Sequence, residues 1–120
     1  MQSKKILIVE DDPAYLSLLS KKLSSVGYET IEASDGEDGL EKLGVTGADL
    51  ILLDLLMPKK GGWSFMYSLA KTQHKSTPII ILTNLDKSAY PQDQAVVDYI
   101  VKSEVSLDEV TEKVNNYLNA

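Results

Sequence analysis

Short apolar runs along this chain alternate with stretches whose apolar positions recur with a period near 3.6, and the switching predicts strands alternating with helices. Ile6-Leu7-Ile8-Val9 is a β-branched apolar run that reads as a first strand. Glu10-Asp11-Asp12-Pro13 ends it, and Asp12 before Pro13 is a helix start, an N-cap followed by proline in the first turn. Tyr15, Leu16, Leu19, Leu23 and Val26 then form one helical stripe that stops at Gly27. Residues 28–33 predict a second strand, and Ser34-Asp35-Gly36 opens a second helix faced by Gly39, Leu40 and Leu43, with Gly44 and Gly47 at its exit. Residues 50–53 are continuously apolar, as suits a strand buried on both faces. Beyond Gly61-Gly62, residues 63 to about 71 predict a third helix with Trp63, Met66, Leu69 and Ala70 inward and Phe65 beside them. Residues 78–82 form a fourth apolar strand ending in Thr83-Asn84. In residues 85–96 Asp86 is a capping residue but Pro91 interrupts, which predicts a fourth helix that is short or irregular. Residues 97–101 give a fifth strand before Lys102-Ser103, and Ser106 caps a final helix carrying Leu107, Val110, Val114, Tyr117 and Leu118.

Five strands alternating with helices imply an α/β fold with a parallel sheet and helices on both faces, and right-handed crossovers leave few topologies. The flavodoxin-like, doubly wound order 2-1-3-4-5 fits the count. In that order the strand ends bearing Glu10-Asp11, Asp54, Thr83 and Lys102 share one rim, where open α/β sheets bind ligands. With 120 residues and no linker or repeat, the chain reads as one domain over residues 1–120.

Composition narrows the function classes. Twelve Lys plus Arg against eighteen Asp plus Glu give a net charge of −6, which argues against direct nucleic-acid binding. No apolar run reaches membrane-spanning length, and Met1-Gln2-Ser3-Lys4-Lys5 leads straight into a strand rather than a signal peptide. Absence of cysteine removes disulfides and thiolate metal sites and fits a cytoplasmic location; one histidine cannot build a histidine cluster.

The rim carries the chemistry. Glu10, Asp11 and Asp54 would bring three carboxylates together, and each like-charged pair near 4 Å costs roughly 1 kcal/mol in water and about 4 at an effective dielectric of 20. Such a cluster calls for a cation, and hard oxygen ligands suit Mg²⁺. Lys102 supplies a fixed positive charge at the end of its strand. Asp12 is explained as a cap, whereas Asp11 is not. Thr83 and Tyr99 are, on the residues alone, more often satisfied core or edge packing, and His74 is a loop residue.

Taken together, Val9-Glu10-Asp11-Asp12-Pro13, Asp54-Leu55-Leu56-Met57-Pro58 with Gly62 four residues on, Ile81-Leu82-Thr83 and Asp98-Tyr99-Ile100-Val101-Lys102 resemble the receiver domain of two-component response regulators. The resemblance covers essentially the whole chain. It implies that Asp54 accepts a phosphoryl group from the phosphohistidine of a sensor histidine kinase or histidine phosphotransfer protein. Asp11 would bind Mg²⁺ directly and Glu10 through a water, with Asp54 and the backbone carbonyl of Leu56 completing the protein ligands. Lys102 and Thr83 would contact the phosphoryl group, and Thr83 with Tyr99 would carry the switch to the face around the fourth helix, fifth strand and fifth helix, where a downstream signalling protein binds. The expected role is that of a phosphoacceptor rather than an enzyme, limited to self-catalysed transfer and slow autodephosphorylation.

Three departures qualify the resemblance. Ser103 stands where the family has a proline joined by a cis bond, and a cis bond before serine would cost about 2.5–4 kcal/mol, so a trans bond or a rearranged loop is expected. Asn84 follows Thr83 where the family favours a small residue, which would narrow access to the site. The stretch between Thr83 and Lys102 is short and contains Pro91. Leu56 and Leu85 occupy positions from which polar side chains can orient an attacking water, and two apolar side chains predict a long-lived phosphoryl group. The nearest rival is a degenerate receiver serving as a phosphorylation-independent binding module. A phosphatase would want a second carboxylate at position 56, and a flavodoxin would not place Glu10-Asp11-Asp12 against a phosphate.

Overall fold

The computed structural model of the chain describes residues 3–57, 61–84, 93 and 95–119. Its five strands are β1 (Lys5–Val9), β2 (Glu29–Ala33), β3 (Leu50–Leu53), β4 (Ile79–Thr83) and β5 (Val96–Val101). They form one parallel sheet in the order β2-β1-β3-β4-β5, the expected topology. The helices described are α1 (Pro13–Ser25), α2 (Gly36–Thr46), α3 (Gly62–Leu69) and the C-terminal α4 (Leu107–Leu118). The expectation of a short helix within residues 85–96 falls mostly outside the described residues, as do Pro58, Leu85 and Pro91.

Alternation along the strands splits the core into two layers. Ile6, Ile8, Leu50, Leu52, Ile80 and Leu82 face Leu16, Leu19 and Leu23 of α1 and Val110 and Val114 of α4. Leu7, Val9, Ile51, Leu53, Ile79 and Ile81 face Leu43 of α2 and Phe65, Met66 and Leu69 of α3. Helices therefore cover both faces, which is why β3 reads as an unbroken apolar run.

Local chemistry sets the helix ends. The Asp12 carboxylate accepts from the Ala14 and Tyr15 amides, Asp35 accepts from Asp38, and Ser106 and Glu109 form a reciprocal capping box. Gly47 ends α2 at φ 66°, a left-handed conformation that glycine adopts freely.

Two sequence assignments are corrected. Trp63 and Ala70 do not line the inner face of α3: Trp63 is 44% exposed, and the buried positions are Gly62, Phe65, Met66 and Leu69. These four follow the 0, 3, 4, 7 helical spacing, which leaves Trp63 on the flank. Val26 likewise lies outside the buried stripe of α1, because it is the C-cap residue and half exposed.

Candidate functional site

Strand register places the acidic residues. Val9 pairs with Leu53, so the next residues, Glu10 and Asp54, emerge side by side. The ladder continues one step past each strand end, with the Glu10 amide donating to Ala33 and the Asp54 amide to Val9, both at 3.0 Å. Those bonds fix two backbone positions in the middle of the sheet. On the other side of β3, β4 and β5 pair through Thr83 and Val101, so Lys102 emerges one step beyond Thr83.

Glu10, Asp54 and Thr83 are buried, with Asp54 6% exposed, while Asp11 faces solvent. One carboxylate oxygen from each of Glu10, Asp11 and Asp54 lies within 4.8 Å of the others. Lys102 donates to Glu10 and, at 3.0 Å, to Asp54 Oδ2, while Asp54 Oδ1 accepts from the Leu56 amide at 3.0 Å. The Glu10 carboxylate also accepts from the Asp11 amide. Thr83 Oγ1 is fully buried with no hydrogen-bond partner among the described residues. A buried hydroxyl without a partner is costly and asks for one.

The electrostatics are those of a crowded acidic pocket with one cation. Burial raises the Glu10 carboxyl to about 7, helped by its hydrogen bond to Asp54 and opposed by Lys102. For Asp54 burial is the largest influence and pushes upward. The Glu10, Thr83 and Lys102 side chains and the Leu56 amide together outweigh it and hold the carboxyl below its ordinary value. Burial disfavours the charged Lys102, but its bonds to Glu10 and Asp54 outweigh that and raise its pKa.

The residues singled out from the sequence thus converge, with Tyr99 one strand away: it lies half-buried against the core layer of Leu7 and Leu53. The Leu56 side chain is 52% exposed, and its backbone rather than its side chain engages Asp54. Sequence reasoning missed two features. Tyr15, assigned only to a core stripe, has its ring 4.7 Å from Lys102 Nζ, a cation–π distance. Its place one turn after the Asp12 cap, beside the rim, was the available signal. The other is Asn84, whose Oδ1 accepts from the Ser103 amide at 2.9 Å. No spacing rule predicts that bond; it follows from β4 and β5 ending side by side. All peptide bonds among the described residues are trans, and residues Lys102–Glu104 form a single 3₁₀ turn.

A cation, a carboxylate cluster and a buried hydroxyl thus gather at the rim of a 2-1-3-4-5 sheet. The chain belongs to the response regulator receiver domain family, whose model matches residues 6–115. Its place is in two-component signalling, as a receiver rather than an enzyme. Among curated relatives, it is 40% identical over 85 residues to the alkaline phosphatase synthesis transcriptional regulatory protein PhoP of Bacillus subtilis, covering 71% of this chain and 35% of that protein. It is 33% identical over 114 residues to the Regulator of RpoS of Escherichia coli, covering 92% of this chain and 34% of that protein. The chain thus spans about a third of the length of these relatives. Among solved structures, the response regulator TrrA of Thermotoga maritima, in complex with Mg²⁺ and BeF, matches with a TM-score of 0.82 and 36% identity over 96% of this chain and 99% of that one. The chemotaxis protein CheY4 of Vibrio cholerae matches with a TM-score of 0.84 and 26% identity over 98% of this chain and all of that one.

Proposed function

We propose that residues 1–120 act as a phosphoacceptor domain in which Asp54 takes a phosphoryl group from a phosphohistidine on a sensor histidine kinase or phosphotransfer protein. The observation that carries this reading is the setting of Asp54. It is a buried carboxylate held ionised, touching Lys102 at 3.0 Å, beside two further carboxylates and a partnerless hydroxyl.

The donor set fits Mg²⁺. Three clustered carboxylate oxygens are hard ligands, and Lys102 alone leaves the cluster with excess negative charge. Asp11 and Asp54 would hold the ion directly, Glu10 through a water, and the Leu56 carbonyl would complete the protein ligands. Bound there, the ion would neutralise charge on the transferring phosphoryl oxygens. The relative crystallised with Mg²⁺ and BeF supports this assignment.

The chain's own residues then divide the work. An Asp54 carboxylate oxygen forms the new O–P bond as the N–P bond of the donor breaks, and the imidazole leaves with the electron pair and takes up a proton. Phosphoryl transfer is chiefly positioning and charge stabilisation, so Lys102 supports the oxygens during transfer. The Thr83 hydroxyl gains the acceptor it lacks, and that new bond is the event from which Tyr99 and the β4–β5 side would switch to a downstream signalling partner.

The test is intact mass after incubation with Mg²⁺ and acetyl phosphate, beside Asp54→Asn. A gain of one phosphoryl group that needs Mg²⁺ and vanishes in the variant is expected. A wild-type protein that stays unmodified by both acetyl phosphate and a phosphorylated histidine donor would sink the reading and favour a binding-only module.

A further inference from the structure

The ladder between β4 and β5 ends at the Thr83–Val101 pair, and the two chains part there. One residue on, Asn84 reaches across and its carboxamide oxygen takes the Ser103 amide at 2.9 Å. Ser103 is the middle residue of the 3₁₀ turn Lys102–Glu104, whose leading amides have no partner within the turn. A proline at 103 would have no amide to offer. Serine does, and Asn84 stands where it can be taken.

The bond therefore lies one residue from Thr83 and one from Lys102, the two side chains that the proposed transfer needs on the phosphoryl group. Among the described residues, the Asn84 side chain's hydrogen bond goes to the Ser103 amide rather than to a carboxylate of the site. From these facts we infer that Asn84 is a positioning residue. Its carboxamide fixes the turn that aims Lys102 at Glu10 and Asp54, and it ties that turn to the end of β4 so that Lys102 and Thr83 move as one unit. The inference rests on Asp54 being the phosphoacceptor. It assigns to this chain a polar tie in the place of a ring constraint, and it joins the Asn84 and Ser103 departures into one device.

Three proteins test it: wild type, Asn84→Ala, and Asn84→Asp, which keeps an acceptor oxygen in the same place. The first readout, independent of phosphorylation, is the solvent-exchange rate of the Ser103 amide by NMR. Loss of the bond should speed it about fivefold in the alanine variant, with near wild-type exchange in the aspartate variant. The second is the rate of mass gain from acetyl phosphate at saturating Mg²⁺, with the Mg²⁺ Kd measured alongside. The alanine variant should be phosphorylated about fivefold more slowly with its Mg²⁺ Kd within about twofold of wild type, and aspartate should restore most of the rate. Unchanged Ser103 exchange in the alanine variant would overturn the tie. An unchanged phosphorylation rate, or a rate and Mg²⁺ affinity that fall together without rescue by aspartate, would overturn the positioning role. A wild type that takes up no phosphoryl group would defeat the phosphoacceptor reading and the positioning role with it, while Ser103 exchange would still show whether the bond exists.

Discussion

The two halves of the pocket are held by different means. The anionic half grows from β1 and β3, interior strands whose residues from Ile6 to Val9 and from Leu50 to Leu53 are at most 1% exposed. The cationic half grows from β5, an edge strand only partly buried along most of its length, with Ile100 its one fully buried side chain and a register shift where it meets β4. Tightly packed cores set positions and resist change, whereas an edge strand is hydrogen-bonded to a neighbour on one side only. The polar ties around β5 supply what packing does not: Tyr117 donates to Val97, Lys113 pairs with Asp98, and Asn84 accepts from Ser103. The carboxylates are thus placed by strand packing, whereas Lys102 is placed by a strand that also relies on polar ties and by its own bonds to Glu10 and Asp54.

Truncation on the two sides should separate them most strongly. Leu53→Ala empties a site in the middle of the sheet and should cost about 2–5 kcal/mol. Val97→Ala, on the partly buried edge strand, should cost about 1 kcal/mol. Urea unfolding of both variants measures the difference, and equal losses would show that β5 is as firmly packed as β3.

Acidity probes the same contrast in a second way. In metal-free protein, Glu10 has its carboxyl raised from an ordinary 4.5 to about 7, so the folded state binds more protons than the unfolded one between those values. Stability should therefore fall as pH rises from about 4.5 to 7 through this group. Asp54 is shifted the other way, and its contribution, present above its ordinary value of 3.8, is lost as pH falls through its depressed folded value. Thermal melting in EDTA across pH 3 to 8 (a window of about five units) should thus show a maximum near the ordinary carboxylate range and a decline toward neutrality. A Glu10→Gln variant should lose the decline. A wild-type curve flat from pH 5 to 7 would mean that Lys102 offsets the burial of Glu10 completely.

How far the sequence foretold the molecule follows the same division. The interior strands were legible because a strand covered on both faces leaves an unbroken apolar run, and Glu10 and Asp54 were legible because they interrupt such runs at their ends. Helix starts at Asp12, Asp35 and Ser106 were written in local capping chemistry. What could not be read were contacts made across elements by ordinary-looking residues. Trp63 counts as apolar in any pattern, yet the Gly62–Phe65–Met66–Leu69 phase of α3 is set by how closely Gly62 must approach Leu55, where a Cβ would come within 2.6 Å of the Leu55 backbone. The Tyr15 ring beside Lys102 and the Asn84–Ser103 bond depend on how far particular side chains reach between elements, which the strand order alone does not supply.

The smallest predicted effect concerns how long the pocket keeps its phosphoryl group. Leu56 is two residues beyond Asp54, and its side chain is half exposed at the pocket's edge while its amide is committed to Asp54 Oδ1. An isobutyl group there offers no hydrogen bond to a water approaching a phosphoryl group on Asp54, so the Leu56 side chain would not orient the nucleophile. General positioning of water by a polar side chain is worth orders of magnitude when it is complete, but one carboxamide on an exposed segment realises only part of that. Leu56→Asn should therefore shorten the lifetime of the phosphorylated protein by about threefold to tenfold without changing how fast it is formed, because Lys102 and the carboxylates are untouched. Mass spectrometry after removal of the phosphodonor reads the decay directly. A wild-type phospho-form that is gone within seconds would contradict the shielding. So would a Leu56→Asn protein that decays at the wild-type rate, because the lifetime would then be set on the Lys102 side of the pocket rather than beside Asp54.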